Sequence, residues 1–148
     1  MSAYAAYYDS GREGDSWETA YIISSAEDLI ALKDRVNDGE EPSGKYYVLT
    51  SDIDLTAEPD WESIGNYYNS FTGHFDGQDH TIMMNSGRNI LFAALFYSVR
   101  DAESSEAIIK NISLTGTITA DCAGTVVHYL YSGQIDKCSF SGMITPYS

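Results

Sequence analysis

Basic side chains are scarce in this chain. It carries 8 Lys+Arg against 22 Asp+Glu over 148 residues, for a formal charge of −14. A surface so acidic repels polyanions, which excludes nucleic acid and anionic membrane as partners. Long apolar runs are absent too, so no segment is expected to insert into a bilayer. Met1-Ser2-Ala3 leads into Tyr4-Ala5-Ala6-Tyr7-Tyr8 with neither a basic start nor an apolar centre. A signal peptide is therefore not expected in this stretch, and the chain reads as a fragment of a larger protein. With only Cys122 and Cys138, at most one disulfide can form, and sequence does not test its geometry. No Ser/His/Asp or Cys/His arrangement and no phosphate-cradling glycine loop stands out.

What is present is a repeat. Ile109-Lys110-Asn111-Ile112-Ser113-Leu114-Thr115-Gly116-Thr117-Ile118-Thr119 is answered 26 residues later by Ile135-Asp136-Lys137-Cys138-Ser139-Phe140-Ser141-Gly142-Met143-Ile144-Thr145. Ser113/Ser139, Gly116/Gly142 and Thr119/Thr145 match in identity, and Ile112/Cys138, Leu114/Phe140 and Ile118/Ile144 match in position. The even spacing of the last three pairs puts them on one face of a strand. The glycine is expected to break that strand into two short pieces. A fixed period in this range means stacked units, and β-branched segments punctuated by glycine make each unit one coil of a parallel β-solenoid. Cys138 takes the inward place of Ile112, so it reads as a buried thiol.

An apolar content of 43% in 148 residues suits one domain with a real core. Residues 1–19 form a polar N-terminal segment. Its loop at Asp9–Ser16 holds acids without the alternating spacing and closing glutamate of a calcium loop, so no cofactor is expected, calcium being the one candidate. Residues 20–45 read as a cap. Ala20-Tyr21-Ile22-Ile23 is a strand, and Ser25 with Asp28 (or Ser24 with Glu27) opens a helix over 25–37. Ala26, Leu29, Leu32 and Val36 line one face of that helix, and Asn37-Asp38-Gly39 ends it. Laid over the first coil, such a helix would cover both its apolar interior and its open backbone edge. Residues 46–148 supply the coils. The chain stops soon after a strand, with no helix behind it, so the last coil is expected to be covered by a second copy or continued in the parent protein.

Several segments together resemble a known group. They are Ile22-Ile23-Ser24-Ser25-Ala26-Glu27-Asp28-Leu29, Tyr47-Val48-Leu49-Thr50-Ser51-Asp52-Ile53-Asp54-Leu55, Trp61 with Ile64-Gly65, and Phe71-Thr72-Gly73-His74-Phe75-Asp76-Gly77 followed by His80-Thr81-Ile82. Over residues 11–145 the chain is similar to the right-handed parallel β-helix domains of bacterial surface proteins that carry the GLUG repeat. Relatives of that group occur in adhesin-like proteins and near the N-terminus of some immunoglobulin-A proteases. Leu91–Phe96 and Ala123–Val127 sit where the family usually reads Gly-Gly-Leu-Val-Gly. The resemblance implies an extracellular or cell-surface module that binds or spaces, and it carries over no catalytic residues.

Tyrosine is the conspicuous residue, with 12 copies. Its flat face and hydrogen-bonding edge suit sugar stacking and protein contacts alike. In the doubled pairs, such as Tyr46/Tyr47 and Tyr67/Tyr68, one ring is expected to enter the core and the other to face solvent. Trp61, Tyr67 and Tyr68, in the loop between coils, are the candidate ligand-binding residues for a glycan or a host or cell-surface protein. Asp52 and Asp54 point away from the core and form a weaker candidate pair. As outward carboxylates they would serve a polysaccharide lyase or hydrolase if further acids converged on them. His74 and His80 with Asp76 and Asp79 hold metal-capable atoms in no recognised spacing. Asn111-Ile112-Ser113 fits a glycosylation acceptor but reads as structural.

Overall fold

The computed structural model describes residues 11–58, 61–85, 92–120, 122–123 and 126–146. The chain enters with β1 (Tyr21–Ile23) and α1 (Ala26–Asn37), then makes a first coil from β2 (Tyr46–Leu49), β3 (Ile53–Asp54) and the loop that follows. The second coil holds β4 (His74–Asp76), β5 (Thr81–Asn85), β6 (Phe92–Ala93) and β7 (Phe96–Val99). The third holds β8 (Ile108–Lys110), β9 (Ser113–Ala120), β10 (Cys122–Ala123) and β11 (Val127–Leu130), and the fourth β12 (Gln134–Asp136) and β13 (Ser139–Pro146). Equivalent strands pair in parallel, one coil on the next. One wall runs β1-β2-β4-β8-β12, a second β3-β5-β9-β13. A third is β7 on β11, joined from the first coil by the parallel bridges Ile64 to Phe96 and Phe71 to Val99. This is a β-solenoid of about four turns, mainly β with one helix near its start.

The repeat seen in the sequence is the register itself. Ile109 pairs with Ile135, Leu114 with Phe140 and Gly116 with Gly142. Between the first two walls the chain turns through residues of positive φ, namely Gln78 and Asp79, Asn111 and Lys137. These corners stack, with Asp79 N donating to the Asn111 carbonyl (3.0 Å) and Asn111 N to that of Asp136 (3.0 Å). Each corner also resets the alternation, so Ile109 before it and Ile112 and Leu114 after it are all buried.

The expected break at the glycines does not occur. β9 and β13 run through Gly116 and Gly142 as single strands, bent at φ values of 137° and 158°. The glycine is needed for clearance: a Cβ at Gly116 would overlap the Met84 carbonyl oxygen, and one at Gly142 that of Gly116.

Inside the tube, Tyr47, Phe71, Phe75 and Phe96 form the aromatic core, with Phe71 and Phe96 5.0 Å apart between ring centres. Burying each phenylalanine is worth about 1.5–3 kcal/mol. Where the second and third walls would begin, after β1, the chain instead makes α1. Ser25 caps it, its Oγ accepting from Asp28 N (3.2 Å). The Asp28 carboxylate reaches back to Ser24, through both N (3.0 Å) and Oγ (3.2 Å), rather than to Ser25. The Ser25/Asp28 frame is thus the one that caps the helix, its return contact shifted one residue to Ser24. Gly39 follows the helix at φ 73°, donating to Val36 O. Leu29, Ala31, Leu32 and Val36 are buried in one cluster with Ile23, Leu49, Trp61 and Ile64. The helix therefore closes the front of the tube.

Candidate functional site

The loop from Gly65 to Ser70 is a surface feature held by a network of hydrogen bonds. The Asn66 side chain accepts from Tyr68 N (3.0 Å) and Asn69 N (2.9 Å), making an Asx-type turn. Asn37, the last residue of α1, pins that turn. Its Oδ1 accepts from Gly65 N (2.7 Å), its Nδ2 donates to Ser63 O (3.1 Å), and its carbonyl accepts from Asn66 and Asn69 side-chain amides (3.1 and 2.9 Å). From beneath, Ser98 Oγ donates to Asn66 O (3.3 Å) and lies within hydrogen-bond distance of the Ser70 hydroxyl (3.0 Å). The result is a fixed turn whose tip carries Tyr67 and Tyr68 at 82% and 85% exposure, ring centres 5.3 Å apart at nearly a right angle.

Both rings of this pair are outside, against the expectation that one would enter the core. In the Tyr46/Tyr47 pair Tyr47 enters the core, whereas Tyr46, on the opposite face of the strand, is half-buried between Trp17 and His74. Tyr67 and Tyr68 lie on a turn, which imposes no alternation.

Trp61 does not join them. It is 3% exposed, packed in the core, with Lys33 Nζ 5.5 Å from its ring. A candidate ligand-facing tryptophan is thus a core residue, because it sits under the helix that closes the tube rather than on the loop's tip.

Beside the loop lies a groove of about 420 Å³. Tyr67, Tyr68, Tyr47 and Tyr131 line it, with Arg100 and Glu41. Glu41 is the one acid in that lining among the described residues, and its carboxylate is almost buried against Arg35 Nε (3.6 Å). Arg100 is exposed, its guanidinium 4.8 Å from the Tyr131 ring centre. The aromatic surface continues across the third wall. Tyr97 lies 5.4 Å from Tyr129 and 5.8 Å from His128, and Tyr129 6.0 Å from Tyr131. Burial, and behind it the neighbouring Tyr129, Tyr131 and Tyr67 phenols, holds the Tyr97 hydroxyl above its ordinary pKa. Burial lowers that of His128. Sequence reasoning saw the Tyr129/Tyr131 doublet but not its meeting with Arg100, Tyr97 and Tyr67, which come from different coils.

The outward carboxylates have local tasks. Asp52 Oδ1 accepts from Thr81 N (2.9 Å) and meets His80 Nδ1 (3.2 Å), and these contacts hold its pKa below the ordinary value. Asp54 Oδ1 takes both the Thr56 hydroxyl (2.5 Å) and its N–H (2.9 Å), again lowering the pKa. Asp76 accepts from Gln78 N and Asn111 Nδ2, so Asn111 is a corner residue. His74 is buried and stacked on Tyr46 at 3.9 Å, away from the His80–Asp52 contact. Asp15 takes Lys45 Nζ at 2.6 Å. Among the described residues no three His, Cys, Asp or Glu side chains gather as a metal site would require. Cys138 is a free thiol, half-buried, with burial raising its pKa; the Cys122 side chain lies outside the described residues.

No helix among the described residues is long and apolar enough to cross a membrane. No family model matches the chain. It is 30% identical over 141 residues to a protein of Evansella cellulosilytica named as a Gly-rich membrane protein; the match takes in 88% of this chain and 15% of that one. Among solved structures, one from Bacteroides ovatus described as an immunoglobulin A1 protease superposes with a TM-score of 0.56 at 16% identity. That superposition covers 90% of this chain and 41% of the other. The chain therefore spans a minor part of both relatives, and what it shares with the solved one is the β-helical fold.

Proposed function

We propose that this chain is a non-catalytic, extracellular or cell-surface β-solenoid module of adhesin-like type, of the class that carries the GLUG repeat, and that it binds a glycan in the tyrosine-lined groove. One observation carries the reading. Tyr67 and Tyr68, on a turn fixed by hydrogen bonds, meet Tyr131 from a distant coil around a single groove. Tyrosines held in place offer stacking faces at little entropic cost, which is what sugar rings need. Against the alternative of a carboxylate-based polysaccharide lyase or hydrolase, Asp52 is engaged by Thr81 and His80 of the next coil and Asp54 by Thr56, and neither lines the tyrosine groove. The relatives' names, one a membrane protein and the other an immunoglobulin A1 protease, support a surface or secreted setting.

A glycan array probed with and without calcium tests this, followed by titration of any hit. Tyr67→Ala and Tyr68→Ala should each weaken binding about tenfold or more while leaving the unfolding midpoint unchanged, both side chains being exposed. An array without hits, or variants that bind as well as the parent, would reject the reading.

A further inference from the structure

Resting on the glycan-binding reading, the groove's charge narrows the ligand: we propose that it takes a sugar bearing a carboxylate, held by the Arg100 guanidinium. The protein has 22 acids for 8 bases. Lys33, Arg35 and Lys45 pair with Asp34, Glu41 and Asp15, while Arg100, Lys110 and Lys137 make no ion pair among the described residues. Of these last three, Arg100 alone lines the groove, its guanidinium 4.8 Å from the Tyr131 ring centre. A guanidinium lying on an aromatic face keeps its in-plane N–H donors free, and their fork matches a carboxylate.

The charge of the groove is thus opposite to that of the molecule. Its lining acid, Glu41, is neutralised by Arg35 and 5% exposed at the side chain, which leaves Arg100 as the exposed formal charge in the lining. The overall −14 does not forbid an anionic ligand there, because charges beyond about 8 Å are largely screened at physiological salt. Tyr67, Tyr68 and Tyr131 would stack on the sugar rings while Arg100 reads the acid. Two sources share this chemistry: polymers of hexuronic acid and chains ending in sialic acid.

The test titrates the protein with an oligomer of galacturonic acid and its methyl ester, and in parallel with sialyllactose and lactose. The acid form of one pair should bind about tenfold tighter than its neutral counterpart, the usual worth of one charge-assisted contact. Arg100→Gln should erase that preference, whereas Tyr68→Ala should weaken acid and neutral forms alike and keep the preference. Whichever pair shows the preference identifies the source. Equal binding of acid and neutral forms, or a preference that survives Arg100→Gln, overturns the carboxylate inference and leaves glycan binding standing. Failure of all four sugars and of the array overturns both.

Discussion

The two ends of the tube present the same problem and treat it differently. Each end of a stack exposes the apolar interior of a coil and an unpaired strand edge. At the front, α1 buries Leu29, Leu32 and Val36 over the first coil. At the back, the fourth coil leaves Ile135, Met143 and Ile144 at 41%, 62% and 48% exposure. Yet the fourth coil keeps its register on the third along the whole of β13, from Ser139 on Ser113 to Pro146 on Ala120. Register therefore comes from the backbone ladder and the stacked corners, whereas the helix supplies closure. Among the described residues no strand pairs with the outer edge of β13, which carries no charged residue to discourage pairing.

The sharpest way to break that contrast is a matched pair of truncations. Leu32→Ala, under the helix, should cost about 2–5 kcal/mol in urea unfolding, while Ile135→Ala at the open end should cost under about 1 kcal/mol. Equal losses would show that both ends are covered alike. A second pair compares the glycines. Gly116→Ala drives a methyl group into Met84 with a coil on either side and should cost about 1–3 kcal/mol; Gly142→Ala should cost less, because the last coil can lift.

At the front, Asn37→Ala removes two side-chain hydrogen bonds and should cost about 1–3 kcal/mol. Amide exchange at Gly65 should quicken, and glycan affinity should fall although Tyr67 and Tyr68 are intact. His74, in the second coil, adds a pH dependence. Burial lowers its pKa below the ordinary 6.5, opposed by the carbonyls of Lys45, Glu106 and Gly44. The unfolded chain thus takes up the proton first, so the stability associated with a neutral His74 is complete above pH 6.5 and declines as the pH falls through it. His74→Gln should flatten that part of the profile, read as unfolding midpoint against pH. The smallest effect on stability, within about 0.5 kcal/mol, is expected of Ile144→Lys at the exposed edge. Its readout is association. The parent should self-associate through the fourth coil in sedimentation velocity and the variant should not; a parent monomeric at every concentration removes this contact.

The parts of the molecule legible in the sequence are those governed by local or strictly periodic rules. Ser25, Asp28 and the Leu29–Leu32–Val36 stripe announce the helix, and the 26-residue spacing announces the third and fourth coils. The same spacing joins Tyr21 to Tyr47. Between the second and third coils the intervals lengthen, with His74 opposite Ile108 and Thr81 opposite Ser113, and the repeat vanishes from view. The groove was hidden for the same reason. Tyr67, Arg100 and Tyr131 belong to coils of unequal length, so no interval in the sequence marks their meeting. Trp61 and Tyr67 share a loop, and only the position of the helix decides that one is inside and the other out.

Asn37 has a consequence for anyone who would alter this protein. The residue ending the front lid is also the post to which the tyrosine turn is lashed, through Gly65, Asn66 and Asn69. Swapping the lid for a stronger one, or grafting the tyrosine turn onto another tube, would separate the two and let the rings swing. The lid and the tyrosine turn are tied here by one residue, and a designer must carry both across together.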